Sequence, residues 1–464
     1  MAAAKKTALS GGTTAVRRVL IANRGEIALR AVRICRRLGL DSVAVYSSAD
    51  GNSPHRWAAD HAVCIGPPPP KASYLNEAAL IEVASACQCD ALYPGYGFLA
   101  ENAGFAARCA EKGLIFIGPS AEVIAQMGDK VAARRTAASL GIPVVPGSSE
   151  DFTVASEATG HADAIGYPLL LKASAGGGGR GMRVVNTPNA FNELFAQACA
   201  EAAAAFGRPE VYLERFFPKV RHIEIQVFGD RHGNYVQLGE RDCSVQRRHQ
   251  KLIEEAPSPV LEPSVREAMA DAALTLVRAL NYVNAGTIEF IYDSESARFF
   301  FIEMNTRIQV EHPVTEMVTG NDLVAEQFRV AAGEPLSLVP AQDGAPVAIE
   351  FRINAEDAEN DFRPSPGMLK RWRPPSGRDI RLDSHVYENY VVPPFYDSLL
   401  GKLIVTGRDR AAAIATASSA LARFDVAGIA TTVPFHAALL QRREFAKAEI
   451  HTRWVEDRLG TMVQ

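Results

Sequence analysis

One run of residues in the sequence has the composition of a phosphate-binding loop. Residues 172–181 read Lys-Ala-Ser-Ala-Gly-Gly-Gly-Gly-Arg-Gly and lie between two apolar segments. Four consecutive glycines lose much backbone freedom on folding, so they are a poor choice for stability alone. Their N–H groups can instead wrap phosphate oxygens in a mobile flap. Lys172 follows an apolar segment, where a buried ammonium needs an anionic partner. The run predicts a phosphate-binding loop that is not a Walker loop, with a flexible hairpin tip as the alternative.

A second group of residues suits a divalent cation. Glu289 and Glu303 lie in two apolar segments that predict neighbouring strands, and Asn305 follows two residues later on the same face. Two carboxylates and an amide oxygen form the kind of site that Mg²⁺ or Mn²⁺ occupies when it also holds phosphates. Arg307 and Glu311 continue this charged segment. Solvated glutamates on an edge strand are the alternative explanation.

A third segment is rich in basic residues and hydrogen-bond donors. Residues 240–251 read Glu-Arg-Asp-Cys-Ser-Val-Gln-Arg-Arg-His-Gln-Lys and are expected to follow a strand at residues 235–239. Such a run is usually a solvated basic face. Because the rest of the chain is balanced in charge, we interpret it instead as an anion-binding edge.

The elements that must position these residues form three predicted units of an α/β protein. From residue 16 to 128, apolar segments alternate with helical periodicity, which predicts an open, mostly parallel, Rossmann-like sheet. Its strands are expected at Val19–Ala22, Ser42–Tyr46, Ala91–Tyr93 and Ile115–Ile117. Residues 129–332 have an α+β pattern that includes a smaller subdomain at about 145–217. Residues 347–455 are expected to form a strand-rich domain.

Composition excludes several classes of protein. The chain has 464 residues, 49 Lys and Arg against 53 Asp and Glu, and a net charge of −4, so nothing indicates a nucleic-acid binder. The apolar fraction of 47% is typical of a folded protein, and no apolar stretch approaches the ~20 residues of a membrane span. Seven cysteines without paired spacing favour reduced thiols. Residues 1–15 lack the features of a signal or transit peptide, so we expect a disordered tail and a cytoplasmic protein.

The chain resembles biotin carboxylase, the ATP-grasp component of the biotin-dependent carboxylases. The resemblance covers about residues 16–459 and includes the glycine run and residues 240–251. Its other phrases are Ile21–Ala28, Tyr93–Asn102, Met127–Lys130, Phe301–Val314, Arg352–Asp357, Pro364–Gly367 and Tyr396–Lys402. It implies ATP-grasp domains with a glycine-rich lid between the Rossmann-like and strand-rich domains. Two positions depart from the family pattern, Tyr93 and Ala175; the first is expected to alter the domain surface near the site, and the second leaves four glycines for lid motion.

The resemblance implies a role for each matching position. The nucleotide-binding set is Lys130, Lys172, Gly178, Gly179, Glu214, Arg215, Phe216, Phe217, His222, Gln246, His249, Glu289 and Glu303. The metal ligands are Glu289, Glu303 and Asn305. The bicarbonate and biotin set is Lys251, Arg307, Gln309, Val310, Glu311 and Arg352, of which Lys251, Arg307, Glu311 and Arg352 are catalytic.

The implied reaction is the carboxylation of biotin by bicarbonate and ATP through carboxyphosphate, the first half-reaction of an acyl-CoA carboxylase such as acetyl-CoA carboxylase. About two Mg²⁺ or Mn²⁺ ions bridge the phosphates. Glu311 removes the bicarbonate proton, Arg307 fixes the anion in a bidentate contact, and Arg352 stabilises the biotin enolate.

The resemblance also implies partners. These are a biotin carboxyl carrier protein, a carboxyltransferase and a second copy of the chain in a homodimer, with no nucleic acid or membrane. No Met-Lys pair of the kind that carries biotin occurs in the sequence, so we expect biotin to arrive in trans. Two other functions are weighed. One is a different ATP-grasp ligase that joins a carboxylate to an amine, which would not need Arg352. The other is a non-catalytic nucleotide-binding subunit, which would be expected to have lost Glu289 or Glu303.

Overall fold

The computed structural model describes residues 16–174 and 182–462. The expected tail at residues 1–15, together with Ala175, Gly178 and Gly179, lies outside these ranges. All seven cysteines are free, as expected from their spacing. No helix in the two described ranges has both the length and the apolar composition needed to cross a membrane.

The first unit is built on a parallel sheet. Its elements are β1 (Arg18–Ile21), α1 (Gly25–Leu38), β2 (Asp41–Tyr46), α2 (Pro54–Ala58), β3 (His61–Cys64), α3 (Glu77–Ala86), β4 (Ala91–Tyr93), α4 (Ala103–Glu111), β5 (Ile115–Phe116) and α5 (Ala121–Gly128). The strand order is β3-β2-β1-β4-β5 and every pair is parallel. Apolar clusters cover both faces, which explains why the strands are short apolar runs. The predicted parallel sheet is confirmed.

Tyr93 lies inside this unit. Its ring is fully buried against Phe328, and its hydroxyl donates to Gln327 Oε1 at 3.2 Å. The expectation that Tyr93 alters a surface near the site is therefore wrong, because the strand that carries it is covered on this face by a helix of the second unit.

The second unit begins with a small antiparallel sheet. Its elements are α6 (Lys130–Ser139), α7 (Ala155–Ile165), β6 (Leu169–Ala173), β7 (Met182–Val185), α8 (Phe191–Phe206) and β8 (Val211–Arg215). The strand order is β7-β6-β8, and the two long helices pack on it through Phe195, Ala158 and their neighbours. At the start of α6 the side chain of Asp129 accepts a hydrogen bond from the N–H of Ala132 at 2.9 Å, and this cap fixes Lys130 in the first turn.

An eight-stranded antiparallel sheet follows. The remaining elements of the second unit are β9 (Arg221–Gly229), β10 (Tyr235–Arg247), β11 (Gln250–Ala256), α9 (Pro263–Ala279), β12 (Asn284–Asp293), β13 (Arg298–Asn305), α10 (His312–Thr319) and α11 (Leu323–Ala331). The expected antiparallel hairpin is formed by β12 and β13. The expectation that residues 240–251 follow a strand is wrong, since most of them belong to β10. Charged side chains in this run hide the apolar pattern by which a strand is recognised. They can lie inside a strand with two buried faces because they are paired with opposite charges.

The third unit continues the same sheet. Its elements are β14 (Val347–Asn354), β15 (Glu356–Asp357), β16 (Arg363–Pro364), β17 (Gly367–Met368), β18 (Arg371–Arg373), β19 (Ile380–Ser384), β20 (Val391–Val392), β21 (Leu399–Gly407), α12 (Arg410–Ala422), β22 (Asp425–Ala427), α13 (Val433–Leu440), α14 (Arg443–Ala446) and α15 (Trp454–Met462). The sheet order is β13-β12-β9-β10-β11-β14-β21-β19. Strands dominate as far as Gly407 and helices beyond it. Because β14 pairs with β11, the second and third units share one sheet.

Candidate functional site

The predicted site residues meet in one cleft. This cleft has a volume of about 1180 Å³ and is lined by residues from all three units. Every predicted site residue in the described ranges lines it, with the exception of Glu311. Glu311 is fully buried directly behind the wall, where it contacts Lys251 and Arg352. Gly178 and Gly179 lie outside the described residues.

Two carboxylates face each other across neighbouring strands of the cleft wall. Glu289 on β12 lies opposite Glu303 on β13, so both side chains project from the same face of the sheet. Glu303 contacts the Lys130 ammonium at 2.8 Å, and Glu289 accepts a hydrogen bond from Asn305 Nδ2 at 2.9 Å. The arrangement brings two carboxylates and an amide together beside a lysine, as the spacing predicts.

His222 on β9 is the second partner of Glu289. Its Nε2 lies 3.0 Å from Glu289 Oε2. Burial opposes the charge on the imidazole, but Glu289 raises the pKa of His222 above its ordinary value. Burial likewise opposes the charge on Glu289, yet Lys251 and His222 lower the pKa of this carboxyl. Both contacts favour the ionised form of Glu289, which is the form that binds a cation.

Lys251 is the centre of the charge network. Its Nζ lies 2.6 Å from Glu224, 3.1 Å from Glu289 and 2.6 Å from Glu311. Burial opposes the ammonium charge, but the surrounding acidic groups raise the pKa of Lys251 well above its ordinary value. One lysine thus holds three buried carboxylates in place, which explains how these carboxylates coexist.

Arg352 on β14 extends the network to the third unit. Its Nε donates to Glu254 Oε1 at 2.7 Å and its Nη2 donates to Glu311 Oε2 at 3.0 Å. Burial opposes ionisation of Glu311, but Lys251 and Arg352 hold the pKa of its carboxyl well below the ordinary range. The guanidinium is thus fixed between two carboxylates and lines the cleft.

Arg307 lies between the carboxylate pair and the first unit. Its Nε donates to Glu101 Oε2 at 2.8 Å, its Nη1 to Gln309 Oε1 at 3.1 Å and its Nη2 to Asn305 Oδ1 at 3.2 Å. Next to it, the carbonyl of Val310 accepts a hydrogen bond from the Lys402 ammonium at 2.9 Å. Each contact fixes the orientation of a group that the sequence assigned to anion binding.

The small sheet contributes the other end of the cleft. The Lys172 ammonium lies 2.5 Å from Glu214 Oε2, so the anionic partner expected for this lysine is Glu214. Phe217 stacks on Phe300 with ring centroids 5.3 Å apart. Arg215, Phe216, Gln246 and His249 also line this end. Burial lowers the pKa of His249, which lies in the turn between β10 and β11.

Several charged residues of the site were not found from the sequence. They are Glu101, Glu224, Arg241, Glu254, Glu350 and Lys402. Two had a detectable signal, because Glu224 and Glu254 are carboxylates inside apolar strand segments, where each needs a basic partner. Those partners lie on other strands, Arg241 on β10 and Arg352 on β14, so the pairing could not be assigned without the fold.

The residues of the carboxylate pair fit Mg²⁺. Glu289, His222 and Glu224 also place one ligand atom each within 4.8 Å of one another, but the imidazole makes this trio a poorer site for a cation that prefers oxygen. Glu289, Glu303 and Asn305 line the cleft. The amide nitrogen of Asn305 faces Glu289 and its oxygen faces Arg307, so rotation of the amide would complete a set of oxygen ligands. That donor set is the one that magnesium prefers beside phosphates.

Three family models match the chain. The N-terminal domain of biotin carboxylase matches residues 15–124, the ATP-binding domain of the carbamoyl-phosphate synthase L chain matches residues 129–339, and the C-terminal domain of biotin carboxylase matches residues 350–457. Biotin carboxylase 1 of Bacillus subtilis is 50% identical over 442 residues, which cover 95% of this chain and 98% of that protein.

Two solved structures share the fold. A biotin carboxylase–beta-gamma-ATP complex from Campylobacter jejuni has a TM-score of 0.91 and 44% identity, covering 95% of this chain and 99% of that one. The biotin carboxylase domain dimer of Hydrogenobacter thermophilus 2-oxoglutarate carboxylase, in complex with MgADP, ADP and bicarbonate, has a TM-score of 0.92 and 43% identity, with 97% and 99% coverage.

Proposed function

Because the chain belongs to the biotin carboxylase family, we propose that its cleft carboxylates biotin through carboxyphosphate, with a separate set of residues for each substrate. The family assignment confirms the resemblance seen in the sequence, and the chain is a ligase that carboxylates biotin with ATP and bicarbonate. It decides against the two alternatives, a carboxylate–amine ligase and a non-catalytic nucleotide-binding subunit.

One observation supports the assignment of separate residues to each substrate. The pair of Glu289 and Glu303 and the contact between Glu311 and Arg352 lie on two sides of a single lysine, Lys251. A phosphoryl group held at the carboxylate pair would therefore lie close to a bicarbonate held beside Lys251. Proximity of the two reacting groups is the main requirement of a phosphoryl transfer to bicarbonate.

The phosphate end would hold ATP and its metal. Glu289, Glu303 and Asn305 would bind Mg²⁺, or Mn²⁺ with the same oxygens, and the ions neutralise phosphate charge when bound. Lys130 and Lys172 would contact the phosphates, the glycine run with Gly178 and Gly179 would close over them, and the segment of residues 214–217 would contact the adenine. His222, Gln246 and His249 would complete this end.

Bicarbonate would bind next to Arg307, Gln309, Val310 and Lys251. Glu311 is ionised and would accept the bicarbonate proton, which frees the oxygen that attacks the γ-phosphate. Its low pKa depends on Lys251 and Arg352. As bicarbonate binds, both cations would turn towards this anion and away from Glu311, and the basicity of Glu311 would rise before the proton is transferred. Carboxyphosphate would then break down to CO₂ and phosphate, and the phosphate would take the proton from the biotin nitrogen. Arg352 would stabilise the oxygen of the resulting enolate while its nitrogen attacks CO₂.

The proposal includes partners and location. A carrier protein would present biotin in trans, and a carboxyltransferase would accept the carboxyl group in the second half-reaction of an acyl-CoA carboxylase. The dimer named for the Hydrogenobacter domain supports a homodimer of this chain. The cytoplasmic location and the domain bounds of 16–128, 129–332 and 347–455 stay predictions.

The test is bicarbonate-dependent hydrolysis of ATP in the presence of free biotin. We expect Glu311→Gln to lose this activity by about 10²–10³-fold and to bind ATP as the unmodified chain does. Glu326→Gln is the matched control, because Glu326 is equally buried on α11 and accepts its hydrogen bonds from Ser337, outside the cleft. If the Glu311→Gln variant keeps this activity, Glu311 is not the base that accepts the bicarbonate proton.

A further inference from the structure

Two buried glutamates lie side by side behind Arg352. Glu254 on β11 is directly opposite Glu350 on β14, and neither side chain has exposed surface. Opposite residues of antiparallel strands have Cβ atoms about 4.5–5.5 Å apart on one face. Next to them on this face, Ala256 and Ala348 pack against Val314 of α10. The helix thereby separates both carboxyl groups from solvent.

The two carboxyl groups have few partners. Glu254 Oε1 contacts the Arg352 guanidinium at 2.6 Å. The second oxygen of Glu254 and both oxygens of Glu350 have no hydrogen-bond partner among residues 16–174 and 182–462. A buried carboxylate without partners is among the most costly groups in a protein interior. Glu350 therefore needs another way to remain inside the fold.

The basic groups that face the pair are already held by other carboxylates. From β11, Lys251 contacts three glutamates; from β21, Lys402 contacts Glu26 at 2.9 Å; and Arg352 on β14 is shared with Glu311. From α10, His312 contributes no charge, because burial holds its pKa well below the ordinary value. From β10, Cys243 contributes no charge, because burial raises the pKa of its thiol well above the ordinary value. Glu311 adds a further negative charge next to the pair. Negative charge is thus in excess here.

We propose that Glu254 and Glu350 form a proton-sharing pair that holds one proton between two carboxyl groups and positions Arg352 for the carboxylation of biotin. Two carboxyl groups this close and this buried cannot both be ionised at low cost, and a single shared proton removes one charge. Burial raises the pKa of Glu350 well above the ordinary value, and burial also raises that of Glu254, to about 7. Both shifts agree with retention of a proton at neutral pH.

The shared proton has a consequence for Arg352, which rests on the function proposed above. With one proton on the pair, the guanidinium balances Glu254 and Glu311. With no proton it would face a third anion, and less of its positive charge would be available to an enolate oxygen in the cleft. Glu254 and Glu350 are thus positioning residues, since they act on the substrate only through Arg352.

The first test measures stability, which does not depend on the proposed function. A carboxyl group whose pKa is raised on folding stabilises the protein most at low pH, and this contribution is lost as the pH rises from about 4.5 towards the folded pKa. Glu350→Gln carries a permanently neutral group and lacks this loss. We therefore compare the Tm of the variant with that of the unmodified chain. We expect the Tm of the variant, relative to the unmodified chain, to be higher at pH 8 than at pH 6 by about 2 °C or more.

The control for this test is Glu326→Gln, which removes the same charge from a buried glutamate whose two oxygens accept hydrogen bonds. We expect it to lower Tm at both pH values. A Glu350→Gln variant with the same change in Tm at pH 6 and pH 8 would overturn the shared proton.

The second test measures positioning through kinetics. We expect Glu254→Gln to raise KM for biotin by about tenfold with KM for ATP unchanged, and Glu254→Asp, which keeps the charge, to recover part of the loss. Equal increases in both KM values would mean that Glu254 has only a structural role. If Arg352→Lys does not change KM or kcat for biotin, the proposed function of Arg352 is wrong, whereas the stability result still decides the shared proton.

Discussion

Replacement of Lys251 by methionine tests the charge network most directly. The change removes the ammonium and keeps a side chain of similar length, so three buried carboxylates lose a partner within 3.1 Å. Removal of one partner of a buried ion pair costs about 3–5 kcal/mol. Each carboxylate keeps one other basic partner, and these are Arg241, His222 and Arg352. We therefore expect the lower limit of that range, about 3 kcal/mol of unfolding free energy at pH 8.

The pH dependence of this loss has a definite sign. In the unmodified chain the pKa of Glu311 is well below its ordinary value, because Lys251 and Arg352 outweigh the effect of burial. Its contribution to stability is fully present above about pH 4.5 and is lost as the pH falls through the folded pKa. Without Lys251 we expect burial to outweigh Arg352, so that the folded pKa of Glu311 rises above its ordinary value. Each unit by which it exceeds that value costs about 1.4 kcal/mol at high pH. The destabilisation should thus be largest at pH 8 and smaller at pH 5.

The assay is urea unfolding of Lys251→Met and of the unmodified chain at both pH values, with EDTA present so that no metal binds Glu289. Lys251→Arg is the control, because it keeps the charge, and it should lose less stability. We also expect kcat for bicarbonate-dependent ATP hydrolysis to fall by about 10²–10³-fold in Lys251→Met. A loss of stability that is equal at pH 5 and pH 8 would show that Lys251 does not hold the carboxylates through its charge.

Two further predictions concern the metal and the carrier. Glu303→Gln should abolish turnover and weaken ATP binding less, because the charge of the metal is needed most in the transition state. If this variant keeps a near-normal kcat in millimolar Mg²⁺, Glu303 is not a metal ligand. A biotinylated carrier protein should give a much higher kcat/KM than free biotin, since the carrier adds binding energy and effective concentration. A streptavidin blot of the pure chain should be blank, and a positive band would contradict delivery in trans.

The sequence was most informative where secondary structure is local. The strand at Ala91–Tyr93 has the predicted bounds, and β2 begins one residue before its predicted start at Ser42. Short apolar runs followed by helical periodicity are unambiguous in a parallel sheet that is covered on both faces. The cap at Asp129 is equally local, and it positions Lys130.

The sequence could not predict the shared sheet. Strands β11 and β14 are about 90 residues apart along the chain, and nothing in either strand specifies the other as its neighbour. The sequence predicts that residues 333–346 lie between two domains. Tertiary pairing nevertheless continues the sheet across this boundary, and that continuity brings Arg352 to the cleft beside Glu311.

The candidate site was found through phrases rather than through physical reasoning on single residues. Resemblance to a family located Lys251, Arg307 and Arg352, but it gave no reason for the carboxylates that hold them. Glu224 and Glu350 are single acidic residues in apolar strands, and Glu254 is followed by a second glutamate, Glu255. Only the strand register shows that they meet basic residues, or each other, so their roles were hidden until the sheet was assembled.

The same network explains how the cleft holds its cations in place before substrate binds. Lys130 contacts Glu303, Lys172 contacts Glu214, and Arg352 contacts Glu254 and Glu311. A substrate anion that binds one of these cations replaces or shares an existing ion pair, so no isolated charge has to be desolvated at that moment. The gain in affinity is small because one ion pair is exchanged for another. The benefit for catalysis is large, since each cation is already oriented towards the position of the substrate anion. Binding of an anion also loosens a carboxylate, and at Glu311 that carboxylate is the proposed base.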